Sequence, residues 1–297
     1  MSLDLQFFFE VLISGLLTGV LYSLVAIGFV LIYKASGVFN FAQGAMVLFA
    51  AMTLVGISDL GVNIAVSALL TIVVMVVLAY CVEFFILRRI VNQSQISLFM
   101  VTIGLSYILL GLGQLVWGAE VHSLDVGLPV GQFVVGDMFI NQFDLSVAAI
   151  CGFIVLALAY FFQRTKVGLS LRAVADDHQA AISIGVSIRN VWIIVWSVAG
   201  VVCLVTGTVW GAKLGVQPAL NLVALKAMPV IVLGGLTSIP GAIVGGLIIG
   251  ASEKLFEVYF GSIIGGATES WVPYVVAIAF LLVRPAGLFG AQELRRI

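Results

Sequence analysis

RTKVGLSLRAVADDHQAAISIG, residues 164–185, lies between two long apolar runs and carries Arg164, Lys166, Arg172, Asp176, Asp177 and His178. Across the 297 residues only 9% are Asp, Glu, Lys or Arg, and 62% are hydrophobic. A soluble domain is about 45–50% apolar and about 25% charged. A chain this oily cannot hide its apolar surface in a core of its own, so lipid is the solvent for most of it. The charged stretch then reads as a loop between spanning helices. The fold class is all-α: a polytopic integral membrane helical bundle. A membrane β-barrel would alternate in segments of about ten residues, and these runs are continuous.

Working outward from the loop, the apolar runs are roughly 8–33, 44–57, 62–87, 96–117, 144–162, 191–212, 227–252 and 271–283. A spanning helix needs about 20 apolar residues, so about eight membrane segments are expected in one transmembrane domain, 1–297. The opening residues MSLDLQFFFE hold no Lys or Arg. They lack the basic start of a cleaved signal peptide, and the first helix is expected to stay. Cys81, Cys151 and Cys203 all fall inside apolar runs, where cysteine acts as a small hydrophobe. The net charge of −1 offers no field for nucleic acid.

Lys and Arg mark the cytoplasmic side of membrane proteins. Residues 118–144 hold Glu120, Asp125, Asp137 and Asp144 but no Lys or Arg. Arg88, Arg89, Arg164, Lys166, Arg172, Arg189, Arg284, Arg295 and Arg296 lie in other connections or after the last run. The loop at about 118–143 is therefore expected outside and the loop at about 164–190 inside. Asp4 and Glu10 put the N-terminus outside, and the C-terminus is then cytoplasmic.

Two segments interrupt apolar runs. GVFNFAQG, residues 37–44, lies in the first half. In the second half, GGLTSIPG (234–241) breaks the run LKAMPVIVLGGLTSIPGAIVGGLIIGASEKL, residues 225–255. The piece before the second break is too short to span, which predicts a discontinuous or re-entrant Gly-rich segment. Such backbone persists at membrane depth only beside protein or water. Paired interruptions point to a transporter's binding path; close helix packing through glycine is the equal competitor. The candidate path residues are Asn40, Gln43, Gly44, Gly234 and Gly235. Gln114 and Asn221 are weaker candidates of the same kind.

The loop itself has an apolar side (Val174, Ala175, Ala180, Ala181, Ile182, Ile184, Val186) and a polar one (Arg172, Asp176, Asp177, His178). It reads as one short amphipathic helix, with Gly168 before it and Gly185 near its end. It would dock into a partner's groove or rest on lipid headgroups.

The sequence resembles ABC-importer permeases of the branched-chain amino acid, LivH-like, family. The likeness runs through most of the chain and is most specific at FNFAQGAM (39–46), TKVGLSLRAVADDHQAAISIGV (165–186), VLGGLTSIPGAIVGGLIIG (232–250) and RPAGLFG (284–290). The resemblance implies that the 165–186 loop is a coupling segment pressed against an ATPase subunit. Gly168, Arg172, Asp176, Asp177, Ala180, Ala181 and Gly185 are the residues placed in it. Gln179 stands where the family's coupling pattern usually begins with Glu. Amino acid permeases of this family often read NFAHGE where this chain has NFAQGA, and the family also includes urea and short-amide permeases. The implied partners are a second permease, similar or identical, two cytoplasmic ATP-binding subunits and a periplasmic solute-binding protein, all around a bacterial inner membrane.

The sequence contains no GxxxxGK[ST] phosphate loop, so NTP hydrolysis by that route is excluded. His122 and His178 sit in loops, no cluster has metal spacing, and no Ser elbow has a His beside it. No catalytic residue, metal or cofactor is expected. Glu83 is expected to pair locally or snorkel near Arg88. Lys213 and Lys226 read as anchors or attractors at the outer mouth, and Glu253, Lys254 and Glu257 as facing the outer surface. An autonomous channel for urea or short amides is the alternative function. An ion-coupled carrier would need a carboxylate in the bundle core, and none is expected there.

Overall fold

The fold is that of a computed structural model, which describes residues 5–90, 93–129, 131–135 and 138–290. Asp4, Asp137, Arg295 and Arg296 lie outside the described residues, as does the side chain of His178. Helix α1 (Leu5–Ser36) is followed by α2 (Gln43–Asp59) and α3 (Ile64–Cys81). A π-helical turn (Val82–Leu87) then runs into the short α4 (Arg88–Ile90), followed by α5 (Gln95–Trp117). Strands β1 (Gln132–Val135) and β2 (Met138–Asn141) form an antiparallel hairpin pairing Gln132 with Asn141. Next come α6 (Gln142–Arg164), α7 (Lys166–Asp176), α8 (His178–Ser183) and α9 (Ile188–Leu214). A 3-10 turn (Pro218–Leu222), α10 (Val223–Gly234), α11 (Ile239–Ile264), a 3-10 turn (Thr268–Ser270) and α12 (Val272–Val283) complete the chain.

Among the described residues, six helices are long and apolar enough to cross a membrane, and three apolar helices are shorter. The eight apolar runs of the sequence thus become six long and three short apolar helices. The 227–252 run divides at the second glycine break into α10 and α11. Helices α10 and α12 have 12 residues each. That makes them about 18 Å long, short of a hydrocarbon core of about 30 Å. The β1–β2 hairpin in the acidic loop is an addition that the all-α reading did not contain.

The chain packs as two units: Met1–Ile27 with Gly127–Ala157 and Leu225–Ile297, and Gly28–Val126 with Leu158–Ala224. In the second of these, α2 is the hub. From Gln43 to Gly56 every residue but Phe49 is buried. A helix enclosed on all sides needs apolar residues on all sides, and MVLFAAMTLV (46–55) supplies them. Helices α3, α5 and α9 pack against it. Glycine sets the spacing: a Cβ at Gly207 of α9 would stand 2.6 Å from the Val47 carbonyl oxygen. The outward faces of α3 and α5 expose Leu69, Val73, Val77, Tyr107, Ile108 and Leu115. Rows of large apolar side chains suit hydrocarbon and not water.

In the first unit α1 and α11 run antiparallel through paired GxxxG sequences, Gly15–Gly19 and Gly246–Gly250. A Cβ at Gly19 would lie 2.6 Å from the Gly246 oxygen, and one at Gly250 would lie 2.5 Å from the Gly15 oxygen. Lipid tails leave no hydrophobic force between helices, so backbone contact through small residues has to supply the attraction. The Ser23 hydroxyl continues the seam, donating to the Ile243 carbonyl at 3.1 Å.

Candidate functional site

The first glycine break joins α1 to α2. Gly37 takes φ +66°, a region that only glycine enters at no cost. Asn40 organises the turn into α2. Its Oδ1 accepts the Ala42 N–H at 3.1 Å, and its Nδ2 donates to Gln43 Oε1 at 3.2 Å and to Met46 Sδ at 3.4 Å. Gln43 Nε2 reaches Cys203 Sγ of α9 at 3.3 Å. Both amides are 0% exposed, and their mutual bonds offset a desolvation that would otherwise cost about 1–3 kcal/mol per group. Phe39 stacks on Phe29, and Phe41 meets Phe99 edge-on. Gly44 is a point of close approach: a Cβ there would fall 2.1 Å from the Asn221 carbonyl oxygen. Asn40, Gln43, Gly44 and Asn221 thus come together, whereas Gln114 is exposed on α5.

The second break is built from backbone. A Cβ at Gly234 would stand 2.3 Å from the Gly241 oxygen, so α10 and α11 touch at their turn. Gly235 has φ +103°, and Ser238 caps α11 by accepting the Gly241 N–H at 3.0 Å. The last carbonyls of a helix have no partner within it. Here Leu288 N–H donates to Leu233 O at 2.8 Å and Phe289 N–H to Gly234 O at 3.2 Å. The RPAGLFG segment is thereby a strap across the end of α10.

At its other end the α10–α11 pair is fastened by charge. Lys226 Nζ lies 3.0 Å from Glu253 Oε1, and the Tyr22 hydroxyl donates to the same oxygen at 3.0 Å. Glu253 is 1% exposed. This corrects two expectations. Glu253 does not face an outer surface, and a carboxylate does sit in the core of this unit. Lys254 pairs instead with Glu269 at 2.6 Å, and Glu257 accepts from the Thr268 hydroxyl.

The charged loop is two helices, not one. Asp177 leaves the helical region and caps α8, its Oδ1 accepting the N–H groups of Gln179 (2.7 Å) and Ala180 (3.0 Å). Asp is favoured at such a cap because its oxygen satisfies orphan N–H groups. Gly168 lies inside α7, not before it. A Cβ there would strike the Phe162 carbonyl at 1.9 Å, and Arg172 Nη1 donates to that same oxygen at 2.9 Å. At the far end Val186 N–H bonds to Ala181 O at 3.0 Å and Gly185 N–H to Ile182 O at 2.9 Å. This is the Schellman arrangement that ends helices at a left-handed glycine; Gly185 has φ +86° and open space around its missing Cβ. The apolar residues do not share one side. Leu171, Val174 and Ala181 are buried, whereas Leu169, Ile182 and Ile184 are 61%, 58% and 76% exposed. Asp176, Asp177, Ala180 and Gly185 are exposed too.

One cluster is not evident in the sequence. Glu83, on the π turn, is buried between Arg88 (3.6 Å) and Arg189 of α9 (3.5 Å). Elsewhere in this unit His122 pairs with Asp59 at 3.0 Å, and its backbone bridges to Val216. Among the described residues no group of His, Cys, Asp or Glu could hold a metal ion.

Comparison with known proteins places this arrangement. The family described as branched-chain amino acid transport system / permease component matches residues 11–283. The chain is 29% identical to the high-affinity branched-chain amino acid transport system permease protein LivH of Escherichia coli K12, covering all of both chains. It is 27% identical to the corresponding permease protein BraD of Pseudomonas aeruginosa over 99% of each. It is 28% identical to a probable LivH of Methanocaldococcus jannaschii, covering 92% of this chain and 90% of that one. A multi-span apolar bundle with this end-to-end match is a transport permease and not an enzyme: the chain belongs to the branched-chain amino acid permease family.

Proposed function

We propose that the chain is the permease subunit of a binding-protein-dependent ABC importer in a bacterial inner membrane, carrying branched-chain amino acids or a similar small polar solute by alternating access. The N-terminus is outside and the C-terminus cytoplasmic. The partners are a second permease, similar or identical, two ATP-binding subunits beneath the 166–187 loop and an external solute-binding protein. LivH and BraD are named for high-affinity branched-chain amino acid transport, which supports the substrate class.

The observation that carries this reading is the exposed apolar trio of Leu169, Ile182 and Ile184. It stands on a loop whose every end is fixed: Thr165 and Asp177 cap the two helices, Arg172 ties α7 to α6, and the Gly185 motif closes α8. A loop pinned at its ends, with part of its apolar set buried and three large apolar residues outward, is suited to dock. Asn40, Gln43 and Gly44 in one unit, and separately Gly234 and Gly235 in the other, are assigned to the route. Its support is that α2 and α11 each begin at a glycine break. Helix N-termini at such breaks carry partial positive charge suited to a substrate carboxylate.

Ile184→Asp tests the docking role. The variant should insert normally and lose its co-purifying ATP-binding subunits; full retention of those subunits and of solute-stimulated hydrolysis rejects the role. The neutral character of Asn40 and Gln43 favours a second reading, a channel for urea or short amides. ATP-independent flux through the chain alone would establish it.

A further inference from the structure

Glu83 asks for a reason. It is 2% exposed and, on the π turn that follows α3, continues the buried stripe Ser67, Thr71, Met75 and Ala79. Its partners Arg88 and Arg189 are half-exposed while the carboxylate is buried, and such a pair is weak evidence of stabilisation, since apolar residues of similar volume often hold a fold as well or better. Buried ions persist where they fix register or serve function.

The backbone around it is unusual in the same place. Residues 82–87 form a π turn, in which the Arg88 N–H bonds back to the Glu83 carbonyl. On an α-helix residues five apart point about 140° away from each other. The wider turn brings Arg88 round to Glu83, with its guanidinium over the Phe84 ring at 5.3 Å. π turns of this kind recur at functional sites.

The second arginine connects the cluster to the loop. Ser187 caps α9, so Arg189 lies in the first turn after the 166–187 loop. Its Nε is 3.5 Å from Glu83 Oε2, its Nη2 donates to the Tyr80 hydroxyl at 3.2 Å, and its guanidinium covers the Tyr80 ring at 5.6 Å. Within the same turn Trp192 Nε1 donates to the Ala35 carbonyl at 2.9 Å, two residues before the Gly37 break. The start of α9 is therefore held on one side to the end of α3 and on the other to the end of α1. Further along, α9 and α3 meet at Gly200 and Met75, where an added Cβ would sit 2.9 Å from the Met75 Cβ.

We propose that Glu83 is a positioning residue for transport: with Arg189 it locks the first turn of α9 to α3, so that displacement of the 166–187 loop moves α3 and the 37–44 break together instead of bending α9 alone. This rests on the docking reading of the loop. It adds a joint distinct from the docked surface.

The test uses the assembled importer in proteoliposomes, with leucine as the solute. Glu83→Gln keeps the side chain's shape and removes its charge. Assembly with the ATP-binding subunits and basal hydrolysis should stay at wild-type levels. Uptake should fall, raising ATP hydrolysed per leucine carried about tenfold, the range by which residues along a coupling path act. Glu83→Asp should recover part of the loss. A wild-type ratio in Glu83→Gln overturns the proposal. If Glu83→Gln does not assemble, the pair E83Q/R189Q, in which that ion pair is neutralised at both members, is read in the same way. Failure of both to assemble also overturns the proposal, because the cluster would then be needed for the fold. Ile184→Asp separates the two ideas. If it keeps full coupling, the docking reading fails. If it uncouples while Glu83→Gln is normal, only the joint is rejected.

Discussion

The two glycine breaks resemble each other in sequence and differ in what holds them. At 37–44 side chains do the holding: Asn40 and Gln43 close on each other, on the Ala42 amide and on Cys203. At 234–241 the backbone does it: Gly234 lies against Gly241, and residues 288 and 289 donate to the last carbonyls of α10. A break stitched by amide side chains can exchange those partners for solute or water. A break closed chiefly by peptide contact, with the Ser238 hydroxyl already committed to capping α11, has less to offer and is suited to move as a piece. The polar break is thus the better candidate for touching solute and the backbone break for pivoting.

The sharpest way to break that comparison is to fill both crossings. Gly44→Val and Gly234→Val each drive a Cβ into a backbone carbonyl, which cannot swing aside as a side chain can. Each should cost more than about 3 kcal/mol and leave little folded protein when thermal unfolding is followed in detergent. A next largest effect is expected where charge fastens the backbone hairpin. Lys226→Met leaves Glu253 buried beside Tyr22 alone and should cost about 3–5 kcal/mol. Adding Glu253→Gln should return most of it, and a double variant as unstable as the single one would show that the ion pair does not fasten the hairpin. Asn40→Leu strands the Ala42 amide and half of Gln43, for about 2 kcal/mol. Uptake should fall with it while the ATP-binding subunits still co-purify. Normal uptake would make the polar break a packing device like the other. The smallest effect belongs to Gly185→Ala. Nothing crowds the site, so overpacking is not the mechanism there, and a positive φ alone costs about 1–2 kcal/mol.

Composition is enough for the membrane class, and the apolar runs fall on helices because each run is bounded by charge or glycine. The division of the 227–252 run at GGLTSIPG is legible for the same reason. The GxxxG pairs of α1 and α11 are present in the sequence as Gly15, Gly19, Gly246 and Gly250, a signal that packing in lipid makes meaningful. The loop reads as one helix in sequence because periodicity runs straight through Asp177, and only the cap geometry shows that its side chain starts a second helix. The burial of Glu253 has no local signal, since its partners stand 27 and 231 positions away. Glu83 is legible only as a neighbour of Arg88, because Arg189 reaches it from another helix. The β1–β2 hairpin carries a signal of its own, two short β-forming runs around Gly-Asp in QFVVGDMFIN.

On the proposed reading, solute passage through this bundle is driven through the 166–187 loop and not by the bundle alone. The direct measurement is leucine flux in proteoliposomes holding the chain with and without its ATP-binding subunits, each with and without ATP. Uptake is expected only when both the subunits and ATP are present, and is expected to be lost in Ile184→Asp. Equilibration of leucine, or of urea, through the chain alone and without ATP would contradict it.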